Sequence, residues 1–599
     1  MAQLVRAPPC HGGGHRFKPD LGRLYSGYLR MMAVFFGIRY IYGSAECRRG
    51  GTGRRPGLKI PWVAIPVPVR SRSPALWKNP ENGLNASFPG LFYASVFLKS
   101  VKNGSFSEFA YGFICLKCAS AGRAYFYRRI SAGGYMQDKP DTPSVRQDEY
   151  LIYQPPLKAL FLFALPMIIG SLFQQVYNIA DSAIVGRFVS QNALAAVGAS
   201  SALTNVFICI AAGAGTGAAV VVSRRFGSRE YPSMLRSIRT SMIFFLIFSI
   251  VLGAAGFTFS EAIMRLLHTP EQVMDMAVVY LKVYFAGFPF LFIYNVVASM
   301  FNAIGNSRVP LYFLIFSSAL NIAMDLYMVI RLHLGVFGAA LATLIAQGIS
   351  AVFSFIVLIR TMRKYAQGTD EKRTWEYFST SDLKLILSYA VPSVIQQSTV
   401  SIGMMLVQSV VNGFGAEALA GFSATARIEN LIAVIWVSVG NAVSPFTAQN
   451  LGAGKKERIT EGFHAALKLD FIFAIGVFLC AVPFARPIAG IFLGSEGTQE
   501  AYSVAVGYMR WIGIFSFWLG AKMAMDGVLK GIGKMKSFMA ANLCNLTIRV
   551  LTAMMIAPGF GIGFVWYAVP VGWAVNLLIS HRAYQRMRTE NGISRTYRA

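Results

Sequence analysis

The chain has 599 residues, of which 55% are hydrophobic and only 14% charged, whereas a soluble chain carries about 25% charged residues. Charge this sparse excludes a string of soluble domains, and apolar runs of about 20 residues recur from Leu157 onward, each long enough to cross a hydrocarbon core of about 30 Å. The net charge of +29 raises nucleic acid as a partner, but basic cytoplasmic loops of a membrane protein account for it, so no nucleic-acid role is expected.

Residues 1–135 read unlike the rest. They hold 20 Lys and Arg against 4 Asp and Glu, with a Pro- and Arg-rich stretch at 48–74 and no sustained apolar periodicity. The run Leu91–Leu98 is too short to span a bilayer. Cys115-Leu-Lys-Cys118 lacks the second ligand pair of a zinc site, and Met1–Arg30 has no apolar core of a secretory signal. The stretch Gly51–Pro74 resembles conceptual translation across a transfer-RNA gene. The segment is therefore read as a basic leader foreign to the fold, with translation starting at Met136; a disordered cytoplasmic tail is the alternative. Of the seven cysteines, Cys10, Cys47, Cys115 and Cys118 fall in this leader, and Cys209, Cys480 and Cys544 in apolar helices, so no disulfide framework is expected.

Six spans follow, near 157–183, 193–220, 236–259, 274–301, 310–330 and 336–360. A charged linker at 361–382 separates them from six more, near 383–411, 418–447, 463–482, 500–527, 536–557 and 561–581. This predicts an all-α integral membrane protein, with an N-lobe at 136–360, a C-lobe at 383–590 and a tail at 591–599. Basic residues gather in alternate loops: Arg224, Arg225, Arg229, Arg236 and Arg239; Arg363, Lys364, Lys372 and Arg373; Lys455, Lys456 and Arg458; Lys534 and Lys536; Arg582, Arg586 and Arg588. The intervening loops carry few basic residues, Arg265, Arg331 and Arg486 among them, beside Glu261, Glu271, Glu417 and Glu496. The positive-inside rule then puts both termini in the cytoplasm, which requires an even number of spans.

The halves resemble each other. Ala193-Leu-Ala-Ala-Val-Gly-Ala pairs with Ala418-Leu-Ala-Gly-Phe-Ser-Ala, Asn205 with Asn430, Phe226-Gly-Ser with Leu451-Gly-Ala, and Pro166 with Pro392. Copies of six spans share one orientation, so an axis along the membrane normal relates them, a common plan for transporters. Gly213, Gly215 and Gly217 suit close helix approach rather than phosphate binding.

An acidic side chain in mid-membrane costs about 2.5–3.5 kcal/mol and marks a cavity or a partner. Span one carries Gln174, Asn178 and Asp181 at helical spacing; span five carries Asn321 and Asp325, four apart on one face. Asn295, Ser299 and Asn302 on span four, and Thr343 and Gln347 on span six, add amides and hydroxyls. Such a set can replace the hydration shell of a hard cation such as Na⁺, a desolvated carboxyl beside another can carry a proton, and interhelical hydrogen bonding alone is the plain alternative. The C-lobe offers Lys522 and Asp526, four apart, and Arg549 near the repeat position of Asn321. These are read either as a structural ion pair or as contacts to an anionic substrate.

Several ordered motifs carry a family resemblance: Phe163-Ala-Leu-Pro166, Gln174-Gln-Val-Tyr-Asn-Ile-Ala-Asp181, Val185-Gly-Arg, Ala303-Ile-Gly-Asn-Ser-Arg-Val-Pro310, Asn321-Ile-Ala-Met-Asp325 and Gln449-Asn-Leu-Gly-Ala-Gly454. Over about residues 150–590 the chain resembles the multidrug and toxic compound extrusion (MATE) family, in its bacterial and archaeal branch. The resemblance implies twelve helices in two pseudo-symmetric six-helix lobes and no enzymatic activity. It also implies export of drugs or organic cations across the inner cell membrane, driven by inward Na⁺ or H⁺ with no other cofactor. Carried over residue by residue, it implies a cation-coupling set of Asp181, Asn321, Asp325 and Thr343, with Asn295 nearby, and a hinge at Pro166. Gln174, Asn178, Lys522, Asp526 and Arg549 stand as substrate-cavity candidates. Span seven has Gln396 and Gln397 where other members carry an acid, so a second-lobe coupling site is not expected. A monomer is expected. The rival reading is a flippase for lipid-linked or anionic precursors; a channel or receptor would show no ion-driven counterflow.

Overall fold

The computed structural model describes residues 149–366, 377–494 and 497–590. The leader 1–135, the start at Met136, the linker's middle with Lys372 and Arg373, Glu496 and the tail 591–599 lie outside the described residues. Among the described residues every regular element is a helix. In chain order these are α1 (Tyr150–Tyr153), α2 (Pro156–Phe188), α3 (Gln191–Gly227), α4 (Tyr231–Leu266), α5 (Glu271–Ala303), α6 (Arg308–Asp325) and α7 (Gly335–Ala366). The second half holds α8 (Thr380–Asn412), α9 (Ala416–Gly452), α10 (Glu457–Ala481), α11 (Ala485–Leu493), α12 (Gln499–Ile532), α13 (Met535–Met555), α14 (Ala557–Phe560) and α15 (Gly563–Glu590). Twelve are long and apolar enough to cross a membrane, α6 doing so with the π-helical turn Leu326–Arg331 that extends it.

The ends run past the apolar runs because capping and polar tails prolong the helices. Ser190, Ser379 and Thr498 cap α3, α8 and α12, each hydroxyl accepting from the N–H three residues on, which satisfies a donor the first turn leaves free. Outward faces carry apolar side chains in the open, such as Val251 (62% exposed) and Ile472 (60%). A water-facing surface of that kind would aggregate; a lipid-facing one is at rest.

The duplication is written into the backbone. Gly305 after α5 has φ 85° and its repeat mate Gly533 after α12 has φ 84°, a left-handed conformation glycine adopts without strain. Arg229 (φ 58°) stands where the second copy has Gly454 (φ 74°).

One end of the bundle is sealed. On α3, a Cβ added to Gly217 would lie 2.3 Å from Ala390 Cα of α8, and one on Gly213 2.7 Å from Val394 Cα. The glycines thus serve close approach between lobes. The first half of α2 (Ala159, Leu160, Phe163, Ala164) joins a buried cluster with Val439, Val443 and Phe446 of α9. At the basic end α1 bridges the lobes. Tyr150 Oη donates to Gly305 O at 2.9 Å, and Leu151 O accepts from Asn450 Nδ2 at 3.1 Å. Arg229 pairs with Glu149 at 2.8 Å, and Arg458 donates to Gln154 O at 2.7 Å. Burial there holds the Lys455 ammonium below its usual pKa, with Arg458 adding repulsion.

Candidate functional site

α6 ends at Asp325 and passes directly into the π-helical turn Leu326–Arg331. Such turns are rare and shift side chains out of the ordinary helical register. Asn321 and Asp325 lie one turn apart on the buried face of α6. Across from them, Asp181 of α2 brings its carboxyl within hydrogen-bonding reach of Asp325. Thr343 comes from α7. With the Asn321 amide turned so that both ends are satisfied, its nitrogen donates to Asp325 Oδ2 at 2.8 Å and its oxygen accepts from Thr343 Oγ1 at 3.0 Å. Four of the five proposed coupling residues therefore meet, from three helices.

Asp181 Oδ1 and Asp325 Oδ1 are buried without a hydrogen-bond partner. Two facing carboxyls repel in a dry site unless they share a proton, which leaves one of them neutral, or hold a cation between them. The set of two carboxylate oxygens, an amide oxygen and a hydroxyl fits a hard monovalent cation as well as it fits a shared proton.

Tyr177 and Tyr280 complete the site. Tyr177 of α2 and Tyr280 of α5 both lie within electrostatic range of the two carboxyls. A cavity of about 10 Å³ lined by Tyr280, Tyr284, Thr343 and Gln347 adjoins them, room for about one water-sized particle. Neither was among the expected site residues; the place of Tyr177 four residues before Asp181 on one helix face could have pointed to it, and nothing in the sequence marked Tyr280.

Asn295 stays apart. It is 15 residues from Tyr280 along α5, about 22 Å at 1.5 Å per residue, and its amide donates to Leu291 O in its own helix at 2.9 Å. Equal spacing within a helix says nothing about depth relative to another helix. Gln174 and Asn178 are exposed and make no hydrogen bond to the carboxyls. Pro166 is buried within α2, between the half of that helix packed on the second lobe and the half bearing Asp181. Ser307 Oγ donates to Phe163 O at 2.8 Å beside it.

In the second lobe Lys522 and Asp526 pair at 2.6 Å with side chains 3% and 4% exposed, and Lys522 also donates to Asn542 Oδ1 at 2.8 Å. Their charges face each other rather than an open cavity. Two further acids appear there. Glu429 of α9 accepts from Tyr508 Oη at 2.5 Å, and Asp470 of α10 is fully buried with both oxygens unpartnered. The insertion cost that singled out Asp181 applies equally to both.

A family model described as MatE matches residues 166–327 and again 392–555, more than half of the chain and one match per lobe. Probable multidrug resistance protein YpnP of Bacillus subtilis is 27% identical over 415 residues, covering 68% of this chain and 91% of that protein. Probable multidrug resistance protein NorM of Thermotoga maritima is 25% identical over 415 residues, covering 68% and 87%. A solved outward-facing multidrug resistance MATE transporter shares the fold, with TM-score 0.68 and 24% identity over 76% of this chain and 99% of that one. Twelve spanning helices, two matched lobes and these relatives place the chain in the MatE family, the multidrug and toxic compound extrusion transporters.

Proposed function

We propose that this transporter is a monomeric secondary antiporter of the inner cell membrane, exporting cationic or amphipathic small molecules in exchange for Na⁺ or H⁺. The observation that carries the reading is the pair of facing carboxyls, Asp181 and Asp325, each with an orphaned buried oxygen, held with Asn321 and Thr343. The positive-inside rule assigns the basic end to the cytoplasm. Since that end is sealed, the conformer faces outward, with both termini inside.

Binding of one monovalent coupling ion offsets one of the two carboxyl charges and lowers the electrostatic cost of closing the dry site. Pro166 supports the coupling step. It leaves the Leu162 carbonyl without its helical donor, and it lies 15 residues from Asp181. A bend there moves the site-bearing half of α2 against the half packed on α9, so occupancy of the first lobe reaches the cytoplasmic seal.

The deciding experiment follows ethidium efflux from whole cells or everted vesicles with Na⁺ and pH gradients imposed separately. Efflux driven by one gradient and lost in both Asp181→Asn and Asp325→Asn supports the reading. Wild-type transport by either variant removes that residue from the coupling site. The flippase alternative needs a basic cavity; Lys522 is neutralised by Asp526, which leaves Arg549 to consider.

A further inference from the structure

Three pairs of residues stand at one offset of 228 positions between the lobes: Gly305 and Gly533, Tyr280 and Tyr508, Asn321 and Arg549. Where the first lobe sets Asn321 and Asp325 beside Tyr280, the second lobe therefore sets Arg549 beside Tyr508. The first lobe's locus holds two carboxyls. Its counterpart holds a guanidinium and Glu429, both within electrostatic range of the Tyr508 hydroxyl. The formal charge of −2 at the first locus is thus replaced by a balanced pair of opposite charges at the second.

Glu429 is already engaged by Tyr508, whose ring is fixed by stacking on Phe422 (centroids 5.3 Å) and Trp566 (5.1 Å). Arg549 is not comparably satisfied. Its Nη2 donates to Met404 Sδ at 3.3 Å, a weak acceptor, and its Nε is buried without a partner. Among the described residues no carboxylate forms an ion pair with it. A half-buried guanidinium within a span is tolerated where it meets a cavity or a ligand.

The position fits a ligand. Met404 shares a face of α8 with Ser401, three residues earlier, and Ser401 Oγ meets Cys209 Sγ of the first lobe at 3.5 Å. Arg549 thus reaches the cleft side of α8 one turn beyond the point where the lobes touch. Its planar fork of donors matches an oxyanion in shape and charge.

We propose that Arg549 is an oxyanion-binding position in the second lobe, taking the carboxylate or phosphate group of an amphipathic molecule carried through the cleft. The inference rests on the export reading and extends its substrates from cations to amphiphiles bearing an anionic group.

The test measures binding rather than transport, so it needs no gradient. Purified protein in nanodiscs of uncharged phosphatidylcholine is titrated with dansylglycine, which bears a single carboxylate, and with its uncharged methyl ester, followed by anisotropy. Wild type should prefer the free acid over the ester by about tenfold or more. Arg549→Gln should abolish that preference and Arg549→Lys should keep most of it, with the gel-filtration profile and melting temperature reporting intact folding. Equal wild-type affinity for acid and ester overturns the proposal, and because this comparison uses only the native chain it stands even where a variant fails to fold. An unchanged preference in Arg549→Gln also overturns it. So does inorganic phosphate binding as tightly as the dye, which would mark a free-ion site. Asp181→Asn should leave the preference intact, so a failed coupling mechanism and a failed anion site give different results.

Discussion

Asp382, in the first turn of α8, takes a two-pronged hydrogen bond from Arg225 at the end of α3, at 2.7 and 2.8 Å, and a third from Arg236 Nε at 3.0 Å. The carboxylate belongs to the second lobe and both guanidiniums to the first, so this cluster ties the sealed end shut in the observed conformer. Removing the carboxylate's charge leaves two poorly exposed cations facing each other. Asp382→Asn is expected to destabilise the sealed state by about 2–4 kcal/mol. A cysteine placed at buried Ser393 should then react with a membrane-impermeant thiol reagent from the basic side. Unchanged reactivity would show that the cluster does not hold the seal.

Gly217 has no room for a methyl group against Ala390, whereas Gly198 on the same helix has nothing within 4 Å of its added Cβ. Gly217→Ala must push α3 and α8 apart, at about 1–3 kcal/mol, and should lower efflux and thermal stability together. Gly198→Ala should leave both unchanged. Equal behaviour of the two variants in a melting scan and an ethidium assay would refute close packing as the role of Gly217.

Within the coupling site the four residues that meet should respond differently from the one that does not. Asn321→Ala and Thr343→Ala remove ligating or orienting groups while keeping both carboxyls, and should raise the coupling-ion concentration for half-maximal efflux about 10–100-fold. Asn295→Ala, about 22 Å away along α5 from Tyr280, should shift it by less than twofold or so. The measurement is efflux rate against Na⁺ or H⁺ concentration; a large shift in Asn295→Ala would mean that the site reaches further than the carboxyl pair.

Lys522 and Asp526 form a buried pair, and breaking one side of such a pair costs about 3–5 kcal/mol while replacing both by apolar groups is near neutral. Asp526→Leu alone should therefore lower the melting temperature sharply, and Lys522→Met with Asp526→Leu should restore most of it with efflux retained. A stable double variant that has lost transport would make the pair a substrate contact instead.

The spans and the duplication were legible because each rests on a quantity the chain carries in one dimension. Run length against bilayer thickness gave twelve spans, and the recurrence of Pro166 at Pro392 and Phe226-Gly at Leu451-Gly gave two lobes; the structure and the paired family matches agree. The ends were less legible. Span nine begins at Glu457 rather than near 463, because the first turn of α10 is polar and lies beyond the apolar run. Asp181 and Asp325 stood out by the cost of burying an acid, yet Glu429 and Asp470 carry that same cost and went unremarked.

By itself, then, the sequence determined what must be buried in lipid, how often the chain crosses it, that the crossings come in two copies, and which charges lie where charge is expensive. Tertiary packing alone decided which of those charges meet across helices. Depth and rotation of one helix against another bring Asp181 to Asp325, leave Asn295 out and, among the described residues, leave Arg549 without an ion pair, whereas Lys522 meets Asp526 by the spacing of their own helix. Helical periodicity fixes only which residues share a face of their own helix; the neighbour that face meets is set by shape, glycine by glycine, where helices touch.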